Sequence, residues 1–252
     1  MKRTAKIIGY VLPFVTVGII FAVWAIVANS LKDEIVLPTV KDTVRETFAM
    51  FKEKEFYVAY FSTLLRTAIS FLISFAAAFI LAYFCYKSEY FKKAVNPIIL
   101  IIRSFPTIAM VLWLALFVDS SVAPVIVTGF VVLPTLFSSL YGYLKEVDKN
   151  LIEMCSVFGV SKGDTLKKVI LPPLIGKTTE LCGAGISLNL KLMVAAETLA
   201  GAARAIGFLM KREKADFETA KLLALVLIVV LTAIIIETAF TFIAGRLKKW
   251  EQ

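Results

Sequence analysis

Apolar positions along this chain come in long unbroken runs. Five of them, 7–28, 61–86, 97–118, 122–144 and 222–244, each reach the roughly 20 residues that a helix needs to cross a bilayer. A sixth run, 178–200, is long enough but mixed. It sets Glu180, Asn189, Lys191 and Glu197 among small residues such as Gly183, Ala184, Gly185, Ala195 and Ala196. Small residues let helices approach closely and buried polar ones need partners or water, so this span is expected inside a bundle. The pattern predicts an all-α integral membrane protein with about six transmembrane helices.

Two segments between the runs have helical periodicity of their own. In the loop 29–60, Leu37-Pro38-Thr39 precedes Val40, Val44, Phe48 and Phe51, which predicts a short amphipathic helix on a membrane surface. The passage 152–173, IEMCSVFGVSKGDTLKKVILPP, is more elaborate. Leu151, Met154, Cys155 and Phe158 share one helical face, and Gly159 stands where a left-handed cap would end it. Ser161 with Asp164 fits a capping box for a second helix, whose apolar face is Leu166, Val169 and Ile170. Pro172 is expected to stop that helix. The predicted unit is helix, tight turn, helix, stop, with Lys162, Lys167 and Lys168 on the solvated side. A connecting loop gains nothing from two apolar stripes unless a partner covers them.

Composition agrees with a membrane protein. Of 252 residues 59% are hydrophobic, and mean hydropathy is +0.83; soluble domains run at about 45–50% apolar. The net charge of +9 could suggest nucleic acid, but the basic residues fall between apolar runs and are better read as topology signals, so no nucleic-acid partner is expected. With both termini placed in the cytoplasm, the inner segments hold 15 Lys and Arg and the outer ones 10. That orientation puts 145–177 in the cytosol. Cys85, Cys155 and Cys182 are odd in number and widely spaced, with no histidine in the chain, so neither a disulfide framework nor a metal site is expected. The first run is too long for a secretory signal and reads as a retained helix.

Charges in or near spans need a reason, since one at the bilayer centre costs at least ~2.5 kcal/mol. Arg66 and Glu180 stand near span ends, where they can snorkel. Lys191 is mid-span and needs a partner on another span or an aqueous path. Arg103, Asn189, Lys191 and Glu197 are therefore the candidate residues of a translocation pathway, with Lys191 and Arg103 placed to attract an anionic solute. Gly176-Lys177-Thr178 mimics the end of a phosphate-binding loop, yet Leu171 stands where the pattern requires another glycine, so no ATP site is expected in this chain.

The string Glu153-Met154-Cys155, three residues, Gly159, nine residues, Val169-Ile170-Leu171-Pro172 resembles the cytoplasmic "EAA" loop of binding-protein-dependent ABC transporter permeases. Glu153, Gly159, Leu171 and Pro172 match at the right spacing, Val169 stands for isoleucine, and Met154 and Cys155 replace two alanines. Arg103-Ser104-Phe105-Pro106 with Ala109, Val194-Ala195-Ala196-Glu197 with Gly201 and Gly207, and Leu37-Pro38-Thr39 extend the likeness over most of the chain. It is most similar to the nitrate, sulfonate and taurine type. The resemblance implies a type I ABC importer permease fold, a single domain over 1–252 in the cytoplasmic (inner) membrane, with a coupling helix in the loop. It implies cytosolic ATPase subunits that bind the ATP, an extracytoplasmic solute-binding protein, a homodimer of permeases and a lipid environment as partners. It also implies that the chain is not itself an enzyme and needs no cofactor, and it gives Glu197 a structural role at the outer gate. The alternatives are a stand-alone secondary transporter or channel-like protein, which should show inverted repeats or half-helices, and a structural membrane scaffold.

Overall fold

The computed structural model describes residues 2–31, 33–147 and 149–248, and among them there are helices and no strand. In chain order these are α1 (Lys2–Leu31), α2 (Val40–Met50), α3 (Lys54–Lys87), α4 (Glu89–Ser104), α5 (Thr107–Leu114), α6 (Ala123–Glu146), α7 (Lys149–Val157), α8 (Lys162–Thr165), α9 (Leu171–Ala200), α10 (Ile206–Ala215) and α11 (Thr219–Lys248). A π-helical turn, Leu166–Ile170, joins α8 to α9.

The six expected spans fall on α1, α3, the α4–α5 pair, α6, α9 and α11. Of these, α3, α6 and α11 are long and uniformly apolar, and α4 with α5 qualifies only as a bent pair. In α1 the apolar stretch among the described residues is Val15–Leu31, and α9 has the length of a span but keeps its charges. Apolar side chains such as Leu65, Leu72, Ile235 and Phe242 are more than 60% exposed, as lipid-facing residues would be.

The run 97–118 is not one straight helix. It breaks at Phe105 and Pro106 with a bend of 85°. Phe105 takes an extended conformation, φ −75° and ψ 127°, because the ring of the following proline disfavours the helical region for the residue before it. Its first helix, α4, begins at Glu89, eight residues before Pro97, which lies inside that helix.

Contacts divide the chain into two units, Met1–Tyr57 with Leu209–Ile228, and Val58–Phe208 with Val229–Gln252. In the first, the Trp24 indole donates to the carbonyl of Pro38 at 3.1 Å, and Thr39 caps α2 by accepting from the Asp42 amide at 3.2 Å. Thr43 and Met50 are the buried side of α2, while Val44, Phe48 and Phe51 form an exposed apolar stripe. That is the arrangement of a helix lying in a membrane surface. In the second unit the core is built from α3, α4, α6 and α9, around Phe71, Ala78, Ala82, Val132, Leu136 and Leu181. Ala78 and Ala82 on α3 are fully buried, and Ser70 and Ser74 bond to the carbonyls of Val125 and Gly129 at 2.9 and 3.0 Å. Small residues and cross-helix hydroxyl bonds are how helices associate where lipid removes the hydrophobic drive.

Proline 172 does not end the second loop helix. The path runs from α8 through the π turn directly into α9, with Pro172 in the first turn of α9. A proline is tolerated there because the first amides of a helix have no intrahelical acceptor. The wider π turn shifts the ladder by one residue just before it.

Candidate functional site

The loop between α6 and α9 is built for presentation. At its turn Gly159 has φ +70°, its amide donates to the carbonyl of Ser156 at 3.2 Å, and the Val160 amide donates to that of Cys155 at 2.9 Å. This is a Schellman turn, which takes up the carbonyls left free at the end of α7 and needs a residue comfortable at positive φ. Beyond it, Ser161 Oγ accepts from the Asp164 amide at 3.1 Å and donates to the Asp164 carboxylate at 2.8 Å. The carboxylate thus engages the cap hydroxyl, where the sequence pattern sends it to the Ser161 amide. Asp164 also pairs with Lys168 at 2.9 Å. Lys168 first and the Ser161 hydroxyl second hold its carboxyl below the usual range.

The apolar face of α7 is uncovered. Leu151, Met154, Val157 and Phe158 are all exposed, the last two by 83% and 77%. Cys155 is half-buried and Glu153 exposed. Val169, Ile170, Leu171 and Pro172 are half-buried; Leu151, Val169 and Leu174 line one groove with Tyr143. An ion pair between Lys177 and Glu146 ties the start of α9 to the end of α6. The side chains of Leu166 and Lys162 lie outside the described residues.

A second polar constellation is deeply buried. Glu197, at 0% side-chain exposure, accepts from Arg66 at 3.0 Å, from the Thr63 hydroxyl at 2.8 Å and from the Gly207 amide at 3.4 Å. Arg66 also donates to the Ala203 carbonyl at 3.2 Å, and Thr63 Oγ accepts from the Ile206 amide at 3.0 Å. These bonds pin the segment that follows α9, which turns at Gly201 with φ +68°. A Cβ on Gly207 would stand 2.5 Å from the Thr198 nitrogen and 2.6 Å from Glu197 Cβ, so only glycine lets the backbones meet. Arg66 does not snorkel; its guanidinium turns inward to the Glu197 carboxylate.

A family model of the inner membrane component of binding-protein-dependent transport systems matches residues 74–249. The chain belongs to this family. Over its full length it is 23% identical to the formylaminopyrimidine transport permease protein ThiX of Halalkalibacterium halodurans, of which it covers 99%. In fold it is similar to a chain of the inward-facing MetNI methionine ABC transporter, with a TM-score of 0.64 at 17% identity, covering 75% of this chain and 94% of that one. A chain of an amino acid ABC transporter gives a TM-score of 0.57 at 15% identity, covering 74% and 89%. The protein is thus a transport permease with the fold of type I ABC importer permeases, in a family whose members work with ATPase subunits and binding proteins.

Within this permease the four pathway candidates separate. Arg103 donates to the Pro134 carbonyl at 3.2 Å and to Ser138 Oγ at 2.6 Å, tying α4 to α6. Asn189 is buried and donates to the Thr67 carbonyl at 3.0 Å, leaving its Oδ1 without a partner among the described residues. Glu197 belongs to the buried knot. Lys191 alone is exposed and without a hydrogen bond or ion pair among the described residues, on a stripe with Ala184, Leu188, Ala195 and Leu199. Sequence reading missed Thr63 and Thr67, since an isolated threonine in an apolar helix gives no local sign of the partner it will meet.

Proposed function

We propose that two copies of this permease form the translocation pathway of an importer powered by separate cytosolic ATPases, each seated on the exposed face of α7, with solute delivered by an extracytoplasmic binding protein. The observation that carries this is the apolar face Leu151, Met154, Val157 and Phe158, held out by the Schellman turn at Gly159. An exposed patch of this kind marks a protein contact. Because the π turn and α9 continue the loop without a break, a push on α7 and α8 is transmitted to α9 as to a lever, the rigid-body shift of a two-state transporter. The lysine bias of 145–177 supports a cytoplasmic position for this face and for both termini.

Co-purification from the native membrane tests it. Wild-type permease should bring ATP-hydrolysing activity with it, and Val157→Asp with Phe158→Asp should lose that activity while the permease still inserts and elutes as one species. Retention of the ATPase by the double variant sinks the docking reading.

Lys191 supports an aqueous pathway along α9. A lipid-facing ammonium at mid-span costs at least ~2.5 kcal/mol, so the stripe that carries it faces water or the second copy. An ammonium there suits a solute that accepts hydrogen bonds, either an anion or a formylaminopyrimidine of the kind named for the Halalkalibacterium relative, whose formyl oxygen and ring nitrogens are acceptors. Uptake of a labelled formylaminopyrimidine in competition with taurine and nitrate decides between those classes.

A further inference from the structure

Two opposite charges within the spans have no counter-ion in the chain. Glu237 stands inside the apolar run 222–244 of α11 and is exposed. Among the described residues its carboxylate has neither a hydrogen bond nor an ion pair; the Thr241 hydroxyl goes to its backbone carbonyl instead, at 2.9 Å. Ile234, Glu237, Thr238 and Thr241 line a shallow recess on the surface of this helix. Arg103, at the end of α4, is exposed as well. Its Nη2 donates to two neutral acceptors of α6, Pro134 and Ser138, and no carboxylate pairs with it among the described residues. A guanidinium has five donors, so Nε and Nη1 are left for another acceptor. Ionised groups are costly in hydrocarbon, and those found there pair with one another or face water.

The two charges lie at one depth. Arg103 meets α6 on either side of Leu136, and Leu136 is what a Cβ on Gly185 of α9 would meet, at 3.1 Å. Two residues away, a Cβ on Gly183 would meet Phe240 at 2.6 Å and the Glu237 carbonyl at 3.4 Å. The span ends give the same answer. Lys93 near the start of α4 and Arg246 near the end of α11 are basic residues of the interface level; Arg103 lies ten residues from the first and Glu237 nine from the second, roughly 15 and 14 Å of helix rise. The other span cations do not fit Glu237. Arg66 is held by Glu197, and Lys191 lies eight residues beyond Gly183, about 12 Å out of level. Within one copy α4 packs on α6 and α11 on α9, and no ion pair joins Arg103 to Glu237 among the described residues.

We propose that Arg103 and Glu237 are partners between two copies of the permease, Arg103 of each copy entering the recess beside Glu237 of the other. This rests on the reading that the permease works as a pair. A two-fold axis along the bilayer normal preserves depth, so one such contact implies its equivalent and the two bridges form together. The planar fork of arginine can take a carboxylate through two parallel bonds. The bridges hold the copies in register at the level where the span of α4 and α5 breaks.

Cross-linking in native membranes tests the pairing. With Cys85, Cys155 and Cys182 replaced by alanine, full-length Arg103→Cys copies bearing one tag are co-expressed with Glu237→Cys copies bearing another. Oxidation should yield dimers of mixed tag and none of a single tag. In detergent, native mass spectrometry should show Glu237→Gln, which leaves the bonds of Arg103 to α6 in place, weakening the dimer about tenfold. Arg103→Glu combined with Glu237→Arg should dimerise better than either change alone; should that variant not fold, the cross-link carries the test. Mixed-tag dimers no more frequent than single-tag ones, or a Glu237→Gln dimer as tight as wild type, overturn the pairing while leaving the two-copy reading standing. A wild-type permease that is a single copy throughout overturns both.

Discussion

Arg66 and Glu197, 131 residues apart, meet at 3.0 Å in an environment where the glutamate side chain is wholly buried and the arginine side chain only 15% exposed. Removing one partner of such a pair strands the other. Arg66→Met should therefore destabilise the permease by about 3 kcal/mol, within the range for breaking a buried pair. The double variant Arg66→Met with Glu197→Met should recover part of that loss, because no isolated charge is left. Thermal unfolding of the detergent-solubilised protein checks this, and additive losses in the double variant would show that the two residues act independently.

Gly159 holds a left-handed conformation with no heavy atom within 4 Å of where a Cβ would stand, so any cost of substitution there is conformational and not steric crowding. Gly159→Ala should cost about 1–2 kcal/mol locally, and Gly159→Asn less, since asparagine tolerates this region. Gly159→Pro cannot adopt a positive φ at all. The expected series in ATPase co-purification is wild type, Asn, Ala, then Pro with none, while membrane insertion stays the same across all four.

How much of this was legible beforehand depends on the range of the signal. The spans α3, α6 and α11 follow from runs of about 20 apolar residues, and the interior character of α9 follows from its small and polar residues. The Schellman turn follows from one glycine after an apolar stripe. The break at Phe105-Pro106 was readable in principle, because the residue before a proline avoids the helical region, but the surrounding hydrophobicity masked it. Pro172 misled in the opposite direction. A proline stops a helix only where its amide or the preceding turn is needed, and here it opens one. The Arg66 and Glu197 pair had no local sign, since each alone looks like a charge near a span end.

Asp164 gives the loop a pH dependence. Lys168 and the Ser161 hydroxyl depress its carboxyl, so the folded value lies below the unfolded one. For a depressed acid, stability is fully present above the unfolded value of about 4 and is lost as pH falls through the folded value. The start of α8 should therefore loosen on acidification below about pH 4 and be insensitive between pH 6 and 8. Amide exchange across 162–170, corrected for the intrinsic rate, should show this in wild type and not in Asp164→Asn.

Lys191 separates a solute path from a structural role. It is exposed on α9 and bonded to nothing among the described residues, so Lys191→Met should leave thermal stability within about 0.5 kcal/mol, as for an unpaired surface site. Solute uptake by the assembled importer should fall severalfold, and Lys191→Arg, which keeps the charge, should restore most of it. ATPase binding should be untouched, because α7 is unaltered. Were uptake to survive Lys191→Met unchanged while stability held, the pathway would have to run along another face of the bundle. Were stability to fall with uptake, Lys191 would be a contact between the two permease copies.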